Sequence, residues 1–438
     1  MLNRWLFKHI DNSALIVFRF FFGFLLAAEG FGAILTGWVK RAFVEPQFTF
    51  NFIGFDWLQI FVGEYMYAHY AIMGVLGVMV MIGYKYRFSM FAYAIFWSIS
   101  YFAQKSSYNN HYYLMVLLCW AMAFLPAHRY ASIDARKNPE IVRHSMPRWC
   151  GLFIILQVTC VYVYGTIAKL YPDWLDTTVI KIFMQAKEHY YLIGDLLQTQ
   201  MAHYFIAYGG ILYDGLVIPF LLYKPTRKYA FFASIFFHMF NSIVFQVGVF
   251  PYMALAFTVF FFEPKTIRNI FLKKKPLYVD NEVKVPQKRG LIVGVLGIYF
   301  LIQLALPLRH NFIPDKVLWT EEGHRLSWRM MLRSKTGRTT FEIVDKTSGN
   351  KWTVKLNDYL TTKQKRLINT HPDAIWQFAQ ILKREYEAKG LDVAVHVRAS
   401  VSVNRRPYKK LIDSDVDLST VDWNAFKHSD WILPSDLD

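Results

Sequence analysis

The sequence predicts an all-α polytopic membrane domain of about nine transmembrane helices, residues 1–308, followed by a small extracytoplasmic α+β domain, residues 309–438. Hydrophobic residues make up 54% of the 438 residues and aromatic residues 18%, yet the formal net charge is +17. A membrane protein with basic cytoplasmic loops accounts for both values. The basic residues are dispersed between apolar segments, so the composition argues against a nucleic-acid partner.

Nine apolar segments are predicted to cross the membrane. They cover residues 13–36, 66–84, 88–104, 110–127, 149–170, 201–223, 229–247, 249–263 and 289–308. The third and the eighth are short for a membrane span. The first segment lacks a small-residue cleavage pattern, so we expect it to be a retained anchor rather than a signal peptide.

The Lys and Arg residues between the predicted spans indicate their orientation. With the N-terminus inside, the cytoplasmic segments hold about 20 of these residues, and the external connections before the last span hold about five. Loops rich in Lys and Arg remain on the cytoplasmic side of a membrane. Nine crossings then place the C-terminal region on the extracytoplasmic side of a multi-pass integral membrane protein.

The C-terminal region carries the patterns of an α+β domain. Residues 340–345 and 351–356 alternate around Thr-Ser-Gly-Asn, which predicts a hairpin. Residues 372–389 have helical periodicity that stops at Gly390. Residues 393–403 alternate again, as a strand does.

Lys169 is the most informative residue of the membrane domain, because it ends an apolar run long enough to cross a bilayer. A lysine there must face an aqueous cavity, pair with another group or lose its charge. The alternative is snorkelling, in which the long side chain reaches the interface and the charge has no further role.

Other intramembrane polar residues suggest a cavity near Lys169. Under the predicted orientation, Asn110 and His111 lie at the same end of the membrane as Lys169, while His238 and Asn241 lie one turn apart near mid-depth. Taken singly, a histidine in a span is more often a hydrogen-bonded packing residue. Together these residues predict a polar cavity for catalysis or transport.

A further pair of intramembrane charges has a purely structural interpretation. Arg19 lies in the first predicted span and Asp214 in the sixth. Charged residues inside membranes commonly pair with one another. The sequence therefore allows an Arg19–Asp214 ion pair with no role in a reaction.

Several short motifs occur one after another along the chain. They are Asn-Asn-His-Tyr-Tyr-Leu at 109–114, Ala-Lys-Leu-Tyr-Pro-Asp-Trp at 168–174, Gly-Gly-Ile-Leu-Tyr-Asp at 209–214, Phe-His-Met-Phe-Asn-Ser at 237–242 and Gly-Val-Phe-Pro-Tyr at 248–252. The first span adds Phe-Arg-Phe-Phe-Phe-Gly at 18–23, and the C-terminal region adds Ser-Trp-Arg-Met-Met at 327–331 and Val-Ser-Val-Asn at 401–404. In this order the motifs resemble the vitamin K-dependent γ-glutamyl carboxylase family, whose wider membrane family is known as HTTM.

The resemblance implies a reaction with two coupled halves. The family oxygenates reduced vitamin K, of the phylloquinol or menaquinol type, to its epoxide and carboxylates glutamate in a protein or peptide. The co-substrates are O2 and CO2, and no metal is implied. Lys169 matches the lysine that removes a proton from reduced vitamin K, and His111 matches a histidine of the carboxylation half-reaction.

The resemblance also implies binding roles for other residues. Asn110, His238, Asn241 and Phe250 match positions associated with the quinone pocket. Trp328 and Asn404 lie in the stretches that resemble the external part of the animal enzyme, and we expect them to contact the glutamate substrate. The implied partners are a glutamate-containing protein, a quinone lipid and the membrane.

Some positions depart from the animal enzyme. Ala168 precedes Lys169 where that enzyme has two lysines, and Arg329 stands where it has an aspartate. At 413–417 the chain has Asp-Ser-Asp-Val-Asp in place of a stretch associated with propeptide recognition. Two alternatives therefore stay open: a quinol epoxidase without peptide carboxylation, and a transporter or lipid-binding membrane protein that uses the same cavity.

Overall fold

Each of the nine predicted apolar segments contains a helix in the computed structural model, which describes residues 1–280, 282–330 and 332–435. The helices are α1 Ser13–Leu35, α2 Met66–Ile82, α3 Tyr86–Ala103, α4 Asn110–Phe124, α5 Arg148–Ala168, α6 Gln200–Leu222, α7 Arg227–Ile243, α8 Phe250–Phe257 and α9 Arg289–Ala305. A short helix precedes them at Leu2–Leu6, and others lie between them at Ile133–Lys137, Pro172–Leu175, Thr178–Gln185, Gly194–Leu197 and Pro264–Phe271. Position 331 of the motif at 327–331, and the last three residues of the predicted C-terminal domain, lie outside the described residues.

Four of the nine helices are long and apolar enough to cross a membrane. They are Ser13–Leu35, Arg148–Ala168, Gln200–Leu222 and the last one, which continues as a helix to Phe312. Helices α2, α4 and α8 are apolar but shorter. The structure therefore supports a membrane domain, while the number nine stays a prediction.

Helices α1 and α2 pack closely because small residues face each other along them. A Cβ atom at Gly23 would overlap the backbone of Met81, and one at Gly77 would overlap the backbone of Ala27. Small residues let two backbones approach in this way inside a membrane. The α1–α2 pair forms one wall of the helical domain.

Arg19 does not pair with Asp214, contrary to the structural interpretation of the sequence. Its guanidinium donates to the backbone carbonyls of Ala127, Tyr130 and Ala131, at 3.0, 3.3 and 2.6 Å. These carbonyls follow α4, so Arg19 satisfies backbone acceptors at a helix end. Asp214 is left to another partner, Lys169.

The N-terminal segment is fixed at the end of the helices that lies away from the C-terminal domain. Strand β1 His9–Asp11 pairs antiparallel with β2 Ser145–Pro147. The Asp11 carboxylate accepts from Lys275 at 2.7 Å, and both side chains are almost fully buried. Because of these contacts, the basic segments that precede α5 and α9 lie on the same side of the helical domain.

The C-terminal region forms the predicted α+β domain. Its sheet has the order β4-β3-β5-β6, with β3 Lys335–Asp345, β4 Lys351–Thr353, β5 Val393–Val403 and β6 Lys409–Lys410. All three pairings are antiparallel. Helices α10 Thr362–Ile368 and α11 Pro372–Ala388 are also present, together with a short turn of helix at Val317–Thr320. The hairpin, the helix and the strand predicted from the sequence are confirmed.

The domain core forms because alternate strand residues and one helix face are apolar. Phe341, Ile343, Val395 and Val397 point from the strands towards Phe378 of α11, and all five are fully buried. The rings of Phe341 and Phe378 meet edge to face at 4.9 Å. The domain thus has its own core, separate from that of the membrane helices.

A buried ion pair docks this domain on the connection between α3 and α4. The Asp373 carboxylate accepts from Lys105 at 2.6 Å and from Arg325 at 2.5 Å. Burial alone would raise the pKa of Asp373, but the two cations outweigh it and hold this pKa well below its usual range. Removing one partner of a buried pair is costly, so the Lys105–Asp373 pair fixes the docking position, while Arg325 holds Asp373 from within the C-terminal domain.

We predict that the C-terminal domain and the connection after α5 share the extracytoplasmic side. Single cysteines at the exposed positions Lys181 and Lys351 should react with a membrane-impermeant maleimide in intact cells, and one at Lys274 should not. Cys119, Cys150 and Cys160 are buried and should give little background. Labelling at Lys274 in intact cells would contradict the orientation.

Candidate active site

A cavity of about 360 Å³ lies at the end of the helices that meets the C-terminal domain. Its walls come from α4, α5, α6 and α7, from the segment at 245–250 and from the domain itself. The polar or aromatic residues predicted from the sequence that line it are Asn110, His111, Lys169, Asn241 and Phe250. Asp214 lines it as well.

Lys169 forms an ion pair with Asp214 inside this cavity. Its Nζ contacts the Asp214 carboxylate and donates to the Gly165 carbonyl at 3.2 Å. The side chains of Lys169 and Asp214 are 8% and 5% exposed. Because the amine is held by α6, it does not reach the interface as a snorkelling lysine would.

The end of α5 and a nearby glycine residue provide the space for this ion pair. Helix α5 ends at Ala168, with Lys169 as its C-cap and Pro172 preventing a further turn. A Cβ at Gly165 would lie 3.3 Å from the Asp214 Oδ2, and one at Gly210 would lie 3.7 Å from the Lys169 Cε. Gly165 therefore leaves space that a larger residue would take from the carboxylate, while Gly210 faces the Lys169 side chain at an ordinary contact distance.

Trp174 covers the amine from the side of the connection after α5. The Lys169 Nζ lies 5.9 Å from the centroid of its indole ring, within the range of a cation–π contact. The indole is 4% exposed, and its Nε1 donates to the Ala207 carbonyl at 3.1 Å. Trp174 thus fixes the short helix Pro172–Leu175 against α6 and shields the ion pair.

His111 lies in the first turn of α4, where the capping residue fixes it. The Asn109 Oδ1 accepts from the Tyr112 amide at 2.7 Å and caps the helix. The ring centroids of His111 and Phe250 are 6.1 Å apart. His111 and Lys169 therefore line one cavity from two different helices.

Asn110 connects the cavity wall to the C-terminal domain. Its Oδ1 accepts from the Tyr108 hydroxyl at 2.8 Å, and its Nδ2 donates to the Arg329 carbonyl. The neighbouring residues Met330 and Leu332 line the cavity. The C-terminal domain therefore contributes residues to the cavity wall and is hydrogen-bonded to α4.

His238 lies behind the cavity wall. Its Nε2 is 2.9 Å from the Tyr162 hydroxyl and 3.1 Å from the Tyr213 hydroxyl, and the side chain is fully buried. Tyr162 lines the cavity, whereas Tyr213 lines a smaller opening of about 190 Å³ between α6 and α7. His238 thus orients two tyrosines, while Asn241 borders both spaces.

Trp328 and Asn404 occupy supporting positions near the site. Trp328 is 1% exposed and packs on Tyr113 of α4 with ring centroids 4.8 Å apart. The Asn404 Nδ2 donates to the Asp173 carboxylate at 2.6 Å, and Arg406 binds the other oxygen at 2.8 Å. Neither Trp328 nor Asn404 is among the described residues that line the cavity, and their substrate role stays a prediction.

Sequence reasoning missed three features of the site. Asp214 was visible as an intramembrane carboxylate, but the choice between Arg19 and Lys169 as its partner depends on which helices pack together. Trp174 belongs to the motif at 168–174 and could have been noted as an aromatic residue five positions after Lys169. Met330 and Leu332 carry no signal of their own, because they are ordinary apolar residues.

No cluster of three metal-binding side chains occurs in the part of the chain that the structure describes. A site without a metal remains an expectation from the resemblance. The three cysteines are free and buried.

The fold and the site define a class of protein. Its members have a helical membrane domain that contains a buried amine–carboxylate pair, and an α+β domain closes the site. Residues 7–265 match the HTTM domain, and residues 288–438 match the vitamin K-dependent gamma-carboxylase lumenal domain. The chain belongs to the vitamin K-dependent gamma-glutamyl carboxylase family. No solved structure matches it.

We predict that Trp328→Ala destabilises the protein, because the indole is buried against Tyr113. Truncating a large buried aromatic residue typically costs about 3–5 kcal/mol, so the melting temperature in detergent should fall clearly. Trp57→Ala is the control, because Trp57 is 59% exposed. An unchanged melting temperature together with a raised KM for a glutamate peptide would instead favour direct contact with the substrate.

Proposed function

We propose that the protein is a vitamin K-dependent γ-carboxylase-like enzyme of the membrane. It couples oxygenation of reduced vitamin K to the epoxide with carboxylation of glutamate in a protein substrate. The observation that carries the proposal is the buried Lys169–Asp214 pair, which shares one cavity with His111. In this proposal the cavity and the α+β domain face the extracytoplasmic side.

The residues present fit a quinol lipid. The cavity is mostly apolar, with aromatic side chains such as Phe237 and Phe250 in its walls. Lys169 and Asn241 also line the neighbouring opening between α6 and α7, whose wall includes Gly209 and Gly210. Ligand sites commonly combine apolar walls with a few placed polar groups. When bound, reduced vitamin K supplies the oxygenation chemistry that drives carboxylation.

Lys169 and Asp214 act as one proton-accepting unit in this proposal. A carboxylate beside an amine stabilises the ammonium form that proton uptake creates, whereas a lone ammonium would be unfavourable in an apolar cavity. Two such closely coupled groups bind protons as a pair. The step requires Lys169 as a neutral amine beside the Asp214 carboxylate. When the Lys169 Nζ takes up a proton, it becomes the ammonium group of the Lys169–Asp214 ion pair, so the ion pair is the form of the unit after proton uptake.

His111 and Asn110 serve the carboxylation half of the reaction. They lie where α4 meets the C-terminal domain, so a glutamate side chain arriving from the domain side would reach them first. Met330 and Leu332 exclude water from this part of the cavity. A dry site protects strongly basic species from protonation by solvent.

The supporting residues hold this arrangement in place. His238 and Asn241 shape the space between α6 and α7 from the side of α7. Asn404 binds Asp173 in the turn that carries Trp174, and Trp328 packs behind the first turn of α4. In this proposal these residues assist quinol and peptide binding by positioning the cavity walls.

A quinol epoxidase without peptide carboxylation is the second candidate. Arg329 stands beside the cavity where the animal enzyme has an acidic residue, and its Nη1 lies 3.0 Å from the His310 Nε2. A positive charge in place of a negative one would change the binding of a carboxylate substrate beside the cavity. It leaves the Lys169–Asp214 pair unaffected.

One experiment tests both candidates. Purified protein is incubated with reduced vitamin K, O2, labelled bicarbonate and a glutamate-rich peptide, and epoxide and incorporated label are measured in the same sample. Formation of both products supports the carboxylase. Epoxide without label supports the epoxidase, and the absence of both contradicts the proposed function.

We predict that Lys169→Ala abolishes both reactions. General-base assistance is typically worth about 10²–10⁴ in rate, and activity should partly return at high pH or with small added amines. Asp214→Asn should also lower both rates, since the neutral amide stabilises an ammonium group less well, and Asp214→Glu should restore part of them. Lys181→Ala, at an exposed position, is the control. Near-normal activity of Lys169→Ala would contradict the mechanism.

We predict that His111→Ala separates the two reactions. Epoxide should continue to form, because the Lys169–Asp214 pair is intact, while incorporation of labelled CO2 falls. The ratio of label to epoxide is the measurement. Loss of epoxide as complete as in Lys169→Ala would show that the proposed division of roles is wrong.

A further inference from the structure

A cavity larger than the one at Lys169 lies outside the site described above. It has a volume of about 910 Å³ and opens between α1, α7, α8 and the helix Pro264–Phe271. Aromatic and aliphatic side chains form most of its wall, among them Phe24, Phe231 and Phe262. Its size is at the upper end of the range for ligand sites, roughly 300–1,000 Å³. We call it the lipid-facing cavity, because half-exposed residues such as Phe232 border it.

One carboxylate lines this apolar space. Glu29 of α1 is part of the wall, and its carboxyl group lies near the Tyr112 side chain of α4. A carboxylate can accept several hydrogen bonds, so Glu29 can accept from a ligand in the cavity. An acidic residue inside a membrane span is costly and commonly marks a functional site.

Two pairs of neighbouring residues connect the wall of the lipid-facing cavity with the wall of the reaction cavity. Val249 lines the first and Phe250 the second. Tyr112 lies near Glu29, while the adjacent His111 lines the reaction cavity, and the ring centroids of His111 and Tyr112 are 5.3 Å apart. Glu29 therefore lies on the far side of the wall that carries His111 and Phe250.

We propose that the lipid-facing cavity is a second binding site for a hydroquinone lipid, with a ring hydroxyl donating to Glu29 and the prenyl tail along the apolar wall. An acyl chain would fill the same space but has no hydroxyl to offer the carboxylate. The identity of the lipid rests on the proposed function. The site holds the quinol beside the reaction cavity before it moves past Tyr112 and Phe250.

The test uses binding without turnover. Menaquinol-4 with a diazirine at the end of its tail is added to the full-length protein without O2, and the labelled peptides are mapped after illumination. Label is expected on α1, α7 and the helix Pro264–Phe271. Glu29→Leu should reduce it about tenfold, the usual loss for one hydrogen bond to a charged group. Glu64→Gln, at an exposed carboxylate, should leave it unchanged.

A second variant fills the space instead of removing the carboxylate. Ala28→Phe places a ring in the lipid-facing cavity and should reduce labelling similarly, whereas Leu35→Phe, on the same helix at an 85% exposed position, should not. Labelling that is unchanged in both cavity variants, or confined to the opening between α6 and α7, would overturn the inference. Because no O2 is present, these results are independent of whether epoxide or carboxylated peptide is formed.

Discussion

The ion pair between Lys169 and Asp214 is the interaction on which the rest of the site depends. Two opposite charges inside an apolar helical domain are stable only when they are close and shielded. Gly165 leaves space beside the carboxylate, and Trp174 covers the amine. The pair also fixes α5 against α6, so the proposed chemistry and the packing of two membrane helices share one constraint.

The C-terminal domain holds in place the two helix ends that form the site. The Arg329 carbonyl accepts from Asn110 of α4, while Asn404 and Arg406 bind Asp173 in the turn after α5. These contacts reach the two helix ends that carry His111 and Lys169. A small displacement of the domain would therefore move both groups, which explains why buried ion pairs such as Lys105–Asp373 fix its position.

Local patterns predicted the elements well, because they depend on neighbours along the chain. The α+β hairpin, α11 and β5 follow from periodicities of two and 3.6 residues. Contacts between distant parts of the chain could not be predicted in this way. The sequence allowed an ion pair between Arg19 and Asp214, whereas Arg19 binds backbone carbonyls after α4. The burial of Trp328 against Tyr113 likewise depends on how the C-terminal domain docks, which no local pattern encodes.

The position of the cavity suits the two substrates of the proposed reaction. A quinol dissolves in the membrane and must arrive between helices, whereas a glutamate side chain belongs to a protein and must arrive from water. A site deep in the bilayer would be closed to the peptide, and a site in the α+β domain would be closed to the lipid. Lys169 at the end of α5 and His111 at the start of α4 lie where both routes meet. Glu29 lies in the lipid-facing cavity next to this point. This is the position expected of a residue that binds a quinol on its way from the membrane.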